Sequence, residues 1–220
     1  MTYNDGFLIT SKKWNNLMSI WYANDLKTLK GFVTRQHKLE VSKREVPNGA
    51  VMFFQNLMRM SFGVAGPLNR KTAVDDLHYL LEEEIPAEAK DNPFYEVWLQ
   101  DMAKISRLFC DVANHNGIRV WIGSKRGCAR YHVDNVPYRL LVTYAGKGTE
   151  WLPEEASDRG AYARGEPNEK IIKDHSAKQF IEQWDVAIFR GGASGLLHRT
   201  PDPALQANSI LMRLDRDVHN

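Results

Sequence analysis

The amino-acid sequence predicts an α+β fold, with a mainly helical N-terminal region over residues 1–117 and an antiparallel β-sandwich or barrel over residues 118–220. Three observations predict it: apolar residues repeat at helical spacing before Gly117, short β-rich runs dominate after it, and helices do not separate those runs. Strands without intervening helices favour an antiparallel sheet over a doubly wound parallel one. The length of 220 residues suits one compact unit, in which the helices pack on the sheet.

Three helices are predicted in the N-terminal region. The clearest begins at Asn92, whose side chain can cap the first turn, continues with Pro93 at the first helical position, and ends at Gly117. A second begins at Thr72, whose hydroxyl can serve as a cap, and ends before the next proline. A third covers residues 11–29. Its residues at helical spacing are interpreted as core rather than as a cofactor site, and they are Trp14, Leu17, Met18 and Trp21.

Short runs rich in β-branched and aromatic residues follow Gly117, and they are separated by Gly, Pro, Asn and Asp. The six predicted strands are 118–122, 129–132, 139–144, 186–189, 195–198 and 209–214. The polar segment 153–178 between them is long for a structureless connection in a compact domain. A lid and a solvated loop without a role are equally good interpretations of this segment.

Composition excludes several classes of protein. Lys and Arg total 29 against 27 Asp and Glu, and the net charge of +2 does not favour a nucleic-acid partner. The sequence contains only two cysteines, Cys110 and Cys128, so neither a disulfide framework nor a zinc ribbon is expected. This cysteine content favours a cytoplasmic location. Residues 1–10 lack a basic start followed by an apolar run, and no stretch of about 18 apolar residues occurs. Neither export nor a membrane span is therefore expected.

The residues that indicate chemistry lie at the ends of two predicted strands. His132 and Asp134 are two residues apart, so in an extended strand they point to the same face. His198 follows 64 residues after Asp134, at the end of another predicted strand. Two histidines and one carboxylate on one face of a metal ion form the facial triad of non-haem Fe(II) oxygenases. The pattern therefore indicates a metal site formed by His132, Asp134 and His198.

Four segments place these residues in a wider pattern. They are Tyr131-His132-Val133-Asp134, Leu140-Leu141-Val142-Thr143-Tyr144 with Gly146-Lys147-Gly148-Thr149-Glu150, Val186-Ala187-Ile188-Phe189-Arg190-Gly191-Gly192, and His198-Arg199-Thr200-Pro201. In this order they resemble the HxD motif, the strand and glycine turn after it, and the strand, turn and distal histidine of the Fe(II)- and 2-oxoglutarate-dependent dioxygenase superfamily. This resemblance covers about residues 119–215. The whole chain is also similar to a bacterial family catalogued as a domain of unknown function.

The superfamily resemblance implies a double-stranded β-helix, a jelly roll of the cupin-like type, for the metal-binding core over residues 118–220. It implies Fe(II) held by His132, Asp134 and His198, with 2-oxoglutarate as the co-substrate. In the superfamily, a basic residue on the strand after the distal histidine holds the far carboxylate of 2-oxoglutarate, because a guanidinium group matches a carboxylate bidentately. The residue that corresponds to it in this sequence is Arg213.

Other residues are further candidates near the co-substrate. Arg213 lies 15 residues after His198, which is longer than the usual spacing in the superfamily, so Arg139 is a substitute anchor, with a surface salt bridge as its alternative interpretation. Arg199 is a second substitute, although a surface salt bridge is the preferred interpretation of this residue. Tyr144 is a candidate hydrogen-bond donor to the co-substrate, and a place in the barrel wall explains it equally well.

Three functions of different classes fit these residues. The resemblance implies a non-haem Fe(II), 2-oxoglutarate-dependent oxygenase that hydroxylates or otherwise oxidises a small-molecule, peptide or protein substrate. The second function is that of a cupin-type metalloprotein with the same ligands and no 2-oxoglutarate, which is favoured if the Arg213 side chain leaves the barrel. The third is a non-enzymatic metal-binding or sensing module, in which Cys128 or His175 would complete a closed coordination shell.

Overall fold

The computed structural model describes residues 20–216, which form a mixed α+β structure, as the sequence predicts. The strands are β1 (Ile20–Ala23), β2 (Leu39–Ser42), β3 (Gly63–Asn69), β4 (Gly117–Gly123), β5 (Tyr138–Ala145), β6 (Glu150–Trp151), β7 (Gln179–Phe180), β8 (Val186–Arg190), β9 (His198–Arg199) and β10 (Ile210–Arg216). The α-helices are α1 (Ala50–Leu57), α2 (Ala73–Leu81), α3 (Ala87–Lys90), α4 (Pro93–Ala113), α5 (Arg159–Ala163), α6 (Asn168–Ile171) and α7 (Asp202–Gln206). Short 3-10 helices cover Lys27–Thr34, Glu154–Ala156 and His175–Ala177. No helix in residues 20–216 combines the length and apolar character that a membrane span requires.

Two β-sheets organise the molecule. The larger sheet has the strand order β1-β2-β8-β5-β10-β4-β3, and the smaller sheet has the order β7-β6-β9. All their strand pairs are antiparallel except β1 with β2. His132 adds to the smaller sheet through an isolated antiparallel bridge with His198. The expectation that the strands pair antiparallel is therefore confirmed, although the larger sheet also contains strands from the N-terminal region.

The larger sheet has a different core on each face, because successive residues of a strand point to opposite sides. On one face, the sheet packs against the helices through side chains that include Leu140, Val142, Tyr144, Met212 and Leu214. On the other face, a second core joins the two sheets and contains Leu141, Ala187, Phe189, Leu211 and Trp151. Arg213 alternates with Met212 and Leu214, so it lies on the same side of β10 as this second core.

Helix α4 begins at the predicted residue and ends earlier than predicted. The side chain of Asn92 accepts the backbone N–H of Phe94 at 2.9 Å, and Pro93 occupies the first turn. The helix stops at Asn114, which adopts the left-handed conformation with φ of 49° and thereby turns the chain. The predicted stop at Gly117 is therefore wrong, because Gly117 already begins β4.

Helix α2 begins after Thr72, as predicted, but a different contact fixes its start. The Thr72 hydroxyl does not cap the backbone; it donates instead to Oδ2 of Asp76 at 3.0 Å. The same carboxylate oxygen accepts the backbone N–H of Asn69 at 2.7 Å. Asp76 therefore ties the first turn of the helix to the end of β3.

The predicted helix over residues 11–29 is wrong in its described part, and its residues 11–19 lie outside the described residues. Trp21 lies in β1, and Leu29 lies in the 3-10 helix over Lys27–Thr34. Pairing of β1 with β2 replaces the helix, and Trp21 stacks on His37 with ring centroids 5.7 Å apart. Trp14, Leu17 and Met18 are among the residues that are not described.

The sequence patterns also do not predict β2 and β3, so the larger sheet takes more strands from the N-terminal region than expected. All four residues of β2 are buried, including Glu40, which accepts hydrogen bonds from Arg35. A strand buried on both faces lacks the alternation that identifies a half-buried strand. Strand β3 contains Gly66 and Pro67, residues that a sheet tolerates at its edge, and β3 is an edge strand.

Four of the six predicted strands correspond to β4, β5, β8 and β10. The predicted strands 129–132 and 195–198 are wrong as continuous strands, because the first makes only the bridge at His132 and the second contributes only the first residue of β9. A turn replaces the start of the second one. In this turn, the N–H of Gly195 donates to the carbonyl oxygen of Gly192 at 2.9 Å.

The polar segment 153–178 is folded rather than structureless. It contains α5, α6 and two 3-10 helices. Its buried residues Ala161, Ile171 and Ile172 share a small core with Tyr131 and Leu197. Since Tyr131 and Leu197 each precede a candidate metal ligand in the sequence, this segment packs directly behind the predicted metal site.

Replacing Tyr144 with phenylalanine tests the helix-facing core. The Tyr144 hydroxyl donates to Oδ2 of Asp101 at 2.9 Å, and the variant would leave Asp101 with its bond from Arg44 alone. We expect Tyr144→Phe to lower the free energy of unfolding by about 1 kcal/mol, measured by urea denaturation. The control is Tyr79→Phe, because Tyr79 is exposed. An equal free energy in both variants would contradict a stabilising role for this hydrogen bond.

Candidate metal centre

Backbone pairing brings the two histidines together. The N–H of His132 donates to the carbonyl oxygen of His198, and the N–H of His198 donates to that of His132, each at 3.0 Å. This bridge sets the two imidazole rings with their centroids 4.5 Å apart. Asp134 lies two residues after His132, and its side chain is buried. The three residues that the sequence singles out are thus neighbours in the structure.

The side chains of these residues converge on one point. One potential ligand atom from each lies within 4.8 Å of the other two. Nε2 of His198 is 3.3 Å from Oδ2 of Asp134, and Nε2 of His132 is 3.9 Å from Oδ1 of Asp134. No other His, Cys, Asp or Glu within residues 20–216 joins this group. Cys128 and His175 therefore do not close the coordination shell, as a non-enzymatic site with four protein ligands would require.

Hydrogen bonds fix the tautomers of both histidines. Nδ1 of His132 lies 3.0 Å from the carbonyl oxygen of Arg130, and Nδ1 of His198 lies 3.0 Å from that of Leu196. A carbonyl oxygen only accepts, so Nδ1 carries the proton and the neutral ring presents the lone pair of Nε2. Oδ2 of Asp134 is buried and has no hydrogen-bond partner. Three electron pairs thus face one another without a donor, an arrangement that a cation stabilises.

The electrostatics of the site favour the protonation states that bind metals. Burial lowers the pKa of His132 below its usual value, and the close approach of the His198 ring lowers it further. Burial alone would raise the pKa of Asp134, but the neighbouring His198 ring and the charge of Arg139 outweigh it and hold that pKa below its usual range. Near neutral pH, His132 is therefore a neutral imidazole and Asp134 is a carboxylate, which are the forms that coordinate a metal.

Arg139 positions the carboxylate of Asp134. Its Nη1 donates to Oδ1 of Asp134, while its other nitrogens donate to Oδ1 and Oδ2 of Asp215 at 2.7 and 3.0 Å. Since Oδ1 of Asp134 accepts from the guanidinium, Oδ2 is the oxygen that remains for a metal. Such a support orients a ligand and tunes its basicity. The substitute role of Arg139 as a co-substrate anchor is therefore not supported, because two carboxylates already occupy it.

The turn after β8 holds the backbone of the HxD segment. The N–H of Gly192 donates to the carbonyl oxygen of Asp134 at 2.8 Å, and the N–H of Gly191 donates to that of Pro137 at 2.9 Å. A Cβ atom on Gly191 would lie 1.9 Å from the carbonyl oxygen of Val136 and 2.6 Å from that of Asp134. Only glycine fits at this close approach of two backbones.

A cavity of about 130 Å³ opens beside the two histidines. Its apolar wall consists of Trp121, Leu141 and Leu211, which belong to the strands of the larger sheet. Among residues 20–216, no Asp or Glu lines the cavity, and the cations that line it are Lys125, Arg126, Arg139, Arg199 and Arg213. The cavity is small compared with the roughly 300–1,000 Å³ of sites for drug-sized ligands. Its lining therefore suits a small anionic ligand next to the candidate metal centre.

Arg213 and Arg199 both line this cavity, in different surroundings. Arg213 has a side chain that is 39% exposed, and its Nε lies 3.3 Å from Oδ2 of Asp215. Arg199 is buried, and its guanidinium contacts both Glu150, at 3.0 and 3.1 Å, and Asp202, at 2.8 and 3.1 Å. The interpretation of Arg199 as a surface salt bridge is therefore wrong, since the pair with Glu150 is buried. These two carboxylates also occupy Arg199, so it is not a free anchor.

Tyr144 does not reach the cavity. It is buried on the helix-facing side of β5, and its hydroxyl donates to Asp101. Its ring lies 4.9 Å from that of Trp184 and 6.0 Å from that of Phe54. The predicted role of Tyr144 as a hydrogen-bond donor to the co-substrate is therefore wrong. Side chains alternate along β5, so Tyr144 points toward the helices together with Leu140 and Val142, whereas Leu141 points toward the cavity.

Sequence reasoning missed three residues of the site. Asp215 follows Arg213 by two positions, so alternation along β10 places both on one face and could have revealed their contact. Glu150 lies in the glycine turn that the sequence shares with the superfamily, but nothing in that segment marks it as the buried partner of Arg199. Arg126 carries no sequence signal, because its loop reaches the cavity only through the tertiary fold.

Fold and site together define a mixed α+β protein with a candidate His–Asp–His metal centre beside a cationic cavity. The family is shown by sequence: the chain belongs to the DUF1826 family, described as "Protein of unknown function", whose model matches residues 23–215. No curated protein matches the chain.

Solved structures with a similar arrangement come from a bacterium and a fungus. A bsmA homolog from Methylobium petroleophilum PM1 has 11% identity and a TM-score of 0.43, over 88% of this chain and 94% of that one. A full-length protein from Neurospora crassa, solved in complex with alpha-KG, has 10% identity and a TM-score of 0.37, over 92% of this chain and 85% of that one. With TM-scores below 0.5, neither likeness decides the fold or function of this chain.

Single substitutions of the three converging residues test the metal centre. We expect His132→Ala, Asp134→Ala and His198→Ala each to weaken binding of a divalent metal by more than roughly 100-fold, since losing even a supporting partner costs 10–100-fold. Anaerobic loading with Fe(II) followed by elemental analysis measures the stoichiometry. His175→Ala is the matched control, because His175 is exposed and outside the group. Full occupancy in any of the three variants would remove that residue from the site.

Gly191→Ala tests the turn that holds the HxD segment. The new Cβ would collide with two carbonyl oxygens of that segment, so we expect the variant to displace Asp134 and to bind metal about tenfold more weakly or worse. Gly127→Ala is the control, because a Cβ on Gly127 has no atom within 4 Å. Unchanged metal affinity in a folded Gly191→Ala variant would show that the turn does not position the carboxylate.

Proposed function

We propose that this protein is a non-haem Fe(II), 2-oxoglutarate-dependent oxygenase that oxidises a small-molecule, peptide or protein substrate. The observation that carries the proposal is the convergence of two imidazole lone pairs and one orphaned carboxylate oxygen, from His132, His198 and Asp134, at the edge of a cavity. Two histidines and one carboxylate on one face of a metal leave the remaining positions open for co-substrate and oxygen. A site of this composition is suited to Fe(II) and to oxygen chemistry.

The strand arrangement supports a double-stranded β-helix as the core of this enzyme. Four strands of the larger sheet, β4, β10, β5 and β8, lie side by side in antiparallel order. The smaller sheet faces them through the shared core around Leu141 and Trp151, and the His132 bridge adds a further segment at its edge. Two facing antiparallel sheets are typical of a jelly roll, and His132 and His198 line the cavity beside them.

The protein's own residues would hold and orient the reactants. When bound, Fe(II) with 2-oxoglutarate and oxygen supplies the oxidising power, and the protein supplies binding and orientation. Arg139 donates to Oδ1 of Asp134, so Oδ2 would be the oxygen left to hold the metal. Arg213 would bind the far carboxylate of 2-oxoglutarate, because its guanidinium lines the cavity above Trp121. The apolar wall of the cavity would limit access of water.

A metalloprotein that does not use 2-oxoglutarate is the second candidate. The observation that favours it is the ion pair of Arg213 with Asp215, since an arginine that already contacts a carboxylate is less available for another. Such a protein would bind the same metal through His132, Asp134 and His198. We expect a cytoplasmic location under either function.

Anaerobic titration distinguishes the two candidates. Metal-free protein is loaded with Fe(II) and then titrated with 2-oxoglutarate, and the visible spectrum is followed for the charge-transfer band of a chelated 2-oxoacid. We expect the band to appear in proportion to bound metal. Stoichiometric Fe(II) binding without the band would contradict the use of 2-oxoglutarate and favour the second candidate.

The variant Arg213→Ala tests the anchor. Loss of a charge-assisted contact of about 1.5–3 kcal/mol weakens binding by roughly 10- to 150-fold, so we expect a 2-oxoglutarate Kd higher by that factor with unchanged metal affinity. Arg164→Ala is the control, because Arg164 is an exposed arginine paired only with Glu166 among residues 20–216. An unchanged Kd for 2-oxoglutarate in Arg213→Ala would place the anchor elsewhere in the cavity.

A further inference from the structure

Arg126 has surroundings unlike those of the other arginines in the cavity. It lies in the loop between β4 and His132, and it lines the cavity beside the candidate metal centre. Its Nη1 donates to the carbonyl oxygen of Lys147 at 2.9 Å, and its Nη2 donates to Oγ1 of Thr149 at 2.8 Å. Both acceptors are uncharged. The Nε atoms of Arg126 and Arg213 are both buried without a hydrogen-bond partner, but that of Arg213 lies 3.3 Å from the Asp215 carboxylate, whereas Arg126 has no such ion pair among residues 20–216.

The remaining cavity arginines all contact carboxylates. The pairs are Arg139 with Asp134 and Asp215, Arg199 with Glu150 and Asp202, and Arg213 with Asp215. Within residues 20–216, no comparable ion pair includes Arg126. Protein carboxylates therefore neutralise the charges of these three arginines, but not the charge of Arg126. All four arginines line the same cavity, and Arg126 differs from the other three in having no carboxylate partner among the described residues.

A guanidinium without a counter-ion is unfavourable in a buried position. Loss of hydration disfavours the charged form, and burial lowers the pKa of Arg126 to about 10. The group stays charged at neutral pH, so the unfavourable charge persists until an anion arrives. A guanidinium has five N–H donors, and the two hydrogen bonds of Arg126 leave donors free, including the buried Nε–H. A carboxylate is the anion whose two oxygens match the N–H donors of a guanidinium.

The charges around the cavity leave room for one more anion than 2-oxoglutarate supplies. Five cations line the cavity, and the carboxylates that pair with them are Asp134, Glu150, Asp202 and Asp215. A divalent metal would add two positive charges, and the 2-oxoglutarate dianion would balance them. One positive charge of the cavity wall then remains, and an organic monoanion would neutralise it.

We propose that Arg126 binds the carboxylate of the primary substrate, so that the substrate of this enzyme is a small organic acid. The carboxylate would lie at the Arg126 and Lys125 side of the cavity, and the carbon to be oxidised would lie toward His132 and His198. The cavity volume of about 130 Å³ suits a small molecule better than a protein side chain with its backbone. This assignment rests on the proposed function, because it takes the metal centre as the place of oxidation.

A matched pair of probes tests the assignment. Propionate and its neutral isostere propionamide are titrated into ¹⁵N-labelled protein that carries Zn(II) and saturating 2-oxoglutarate, and chemical-shift changes give each Kd. We expect propionate to bind about tenfold or more tightly than propionamide, as expected for a contact worth at least 1.4 kcal/mol. Arg126→Gln should erase this preference, and Arg126→Lys should retain part of it. Arg164→Gln is the control and should keep the full preference.

Several outcomes would overturn the assignment. Equal or absent binding of the two probes to the wild type, or a preference that persists in Arg126→Gln, would show that Arg126 is not a carboxylate-binding residue for the substrate. A higher Kd for 2-oxoglutarate in Arg126→Gln than in the wild type would assign Arg126 to co-substrate binding instead. If Arg126→Gln does not fold, the Arg126→Lys variant carries the test, since a primary amine cannot form the bidentate contact and should reduce the preference.

Failure of the proposed function is distinguishable from failure of this inference. If the wild type binds metal but not 2-oxoglutarate, the oxygenase proposal fails at that step. The probe titration is then repeated on protein that carries Zn(II) alone. A propionate preference that depends on Arg126 in that state would still support a carboxylate subsite beside the metal, and its absence would overturn the subsite as well.

Discussion

The antiparallel bridge between His132 and His198 is the contact on which the candidate metal centre depends. Two backbone hydrogen bonds place residues 66 positions apart in the chain opposite each other, and a directly opposed pair on one face of a sheet has its side chains close together. Asp134 then needs only the two-residue step from His132 to reach the same point. The tautomers follow from local bonds to Arg130 and Leu196, so both Nε2 atoms face the carboxylate.

Arginine–carboxylate pairs lie around this centre, and each pair has a different role. Arg139 joins Asp134 to Asp215 and so fixes which carboxylate oxygen stays free. Arg199, which follows His198 in β9, forms an ion pair with the buried Glu150. Buried charges are tolerated when they are paired and hydrogen-bonded, and these arginines meet that condition. The other cavity arginines are therefore paired with carboxylates, and Arg126 is the one without an ion pair among residues 20–216.

Strand parity in the larger sheet decides which residues can take part in chemistry. Leu141 and Leu211 face the smaller sheet, and Arg213 shares their side. Tyr144 is an even-numbered residue of β5 and packs against α1 and α4 instead. A one-residue change of parity moves a side chain to the opposite face of a sheet. The segment over residues 153–178 contributes in another way, because it packs behind the histidines rather than over the cavity.

The sequence by itself determined the α+β class, the start of α4 at Asn92, and the association of His132 with Asp134, because these depend on local periodicity, capping and spacing. It also indicated His198 through the order of its motifs. Only the tertiary structure decided which partners the charged residues have, since the contacts of Arg199 with Glu150 and of Arg126 with Thr149 join segments that no local pattern relates. The buried strand β2 escaped prediction for the same reason: its conformation comes from pairing with β1 and β8 rather than from its own sequence.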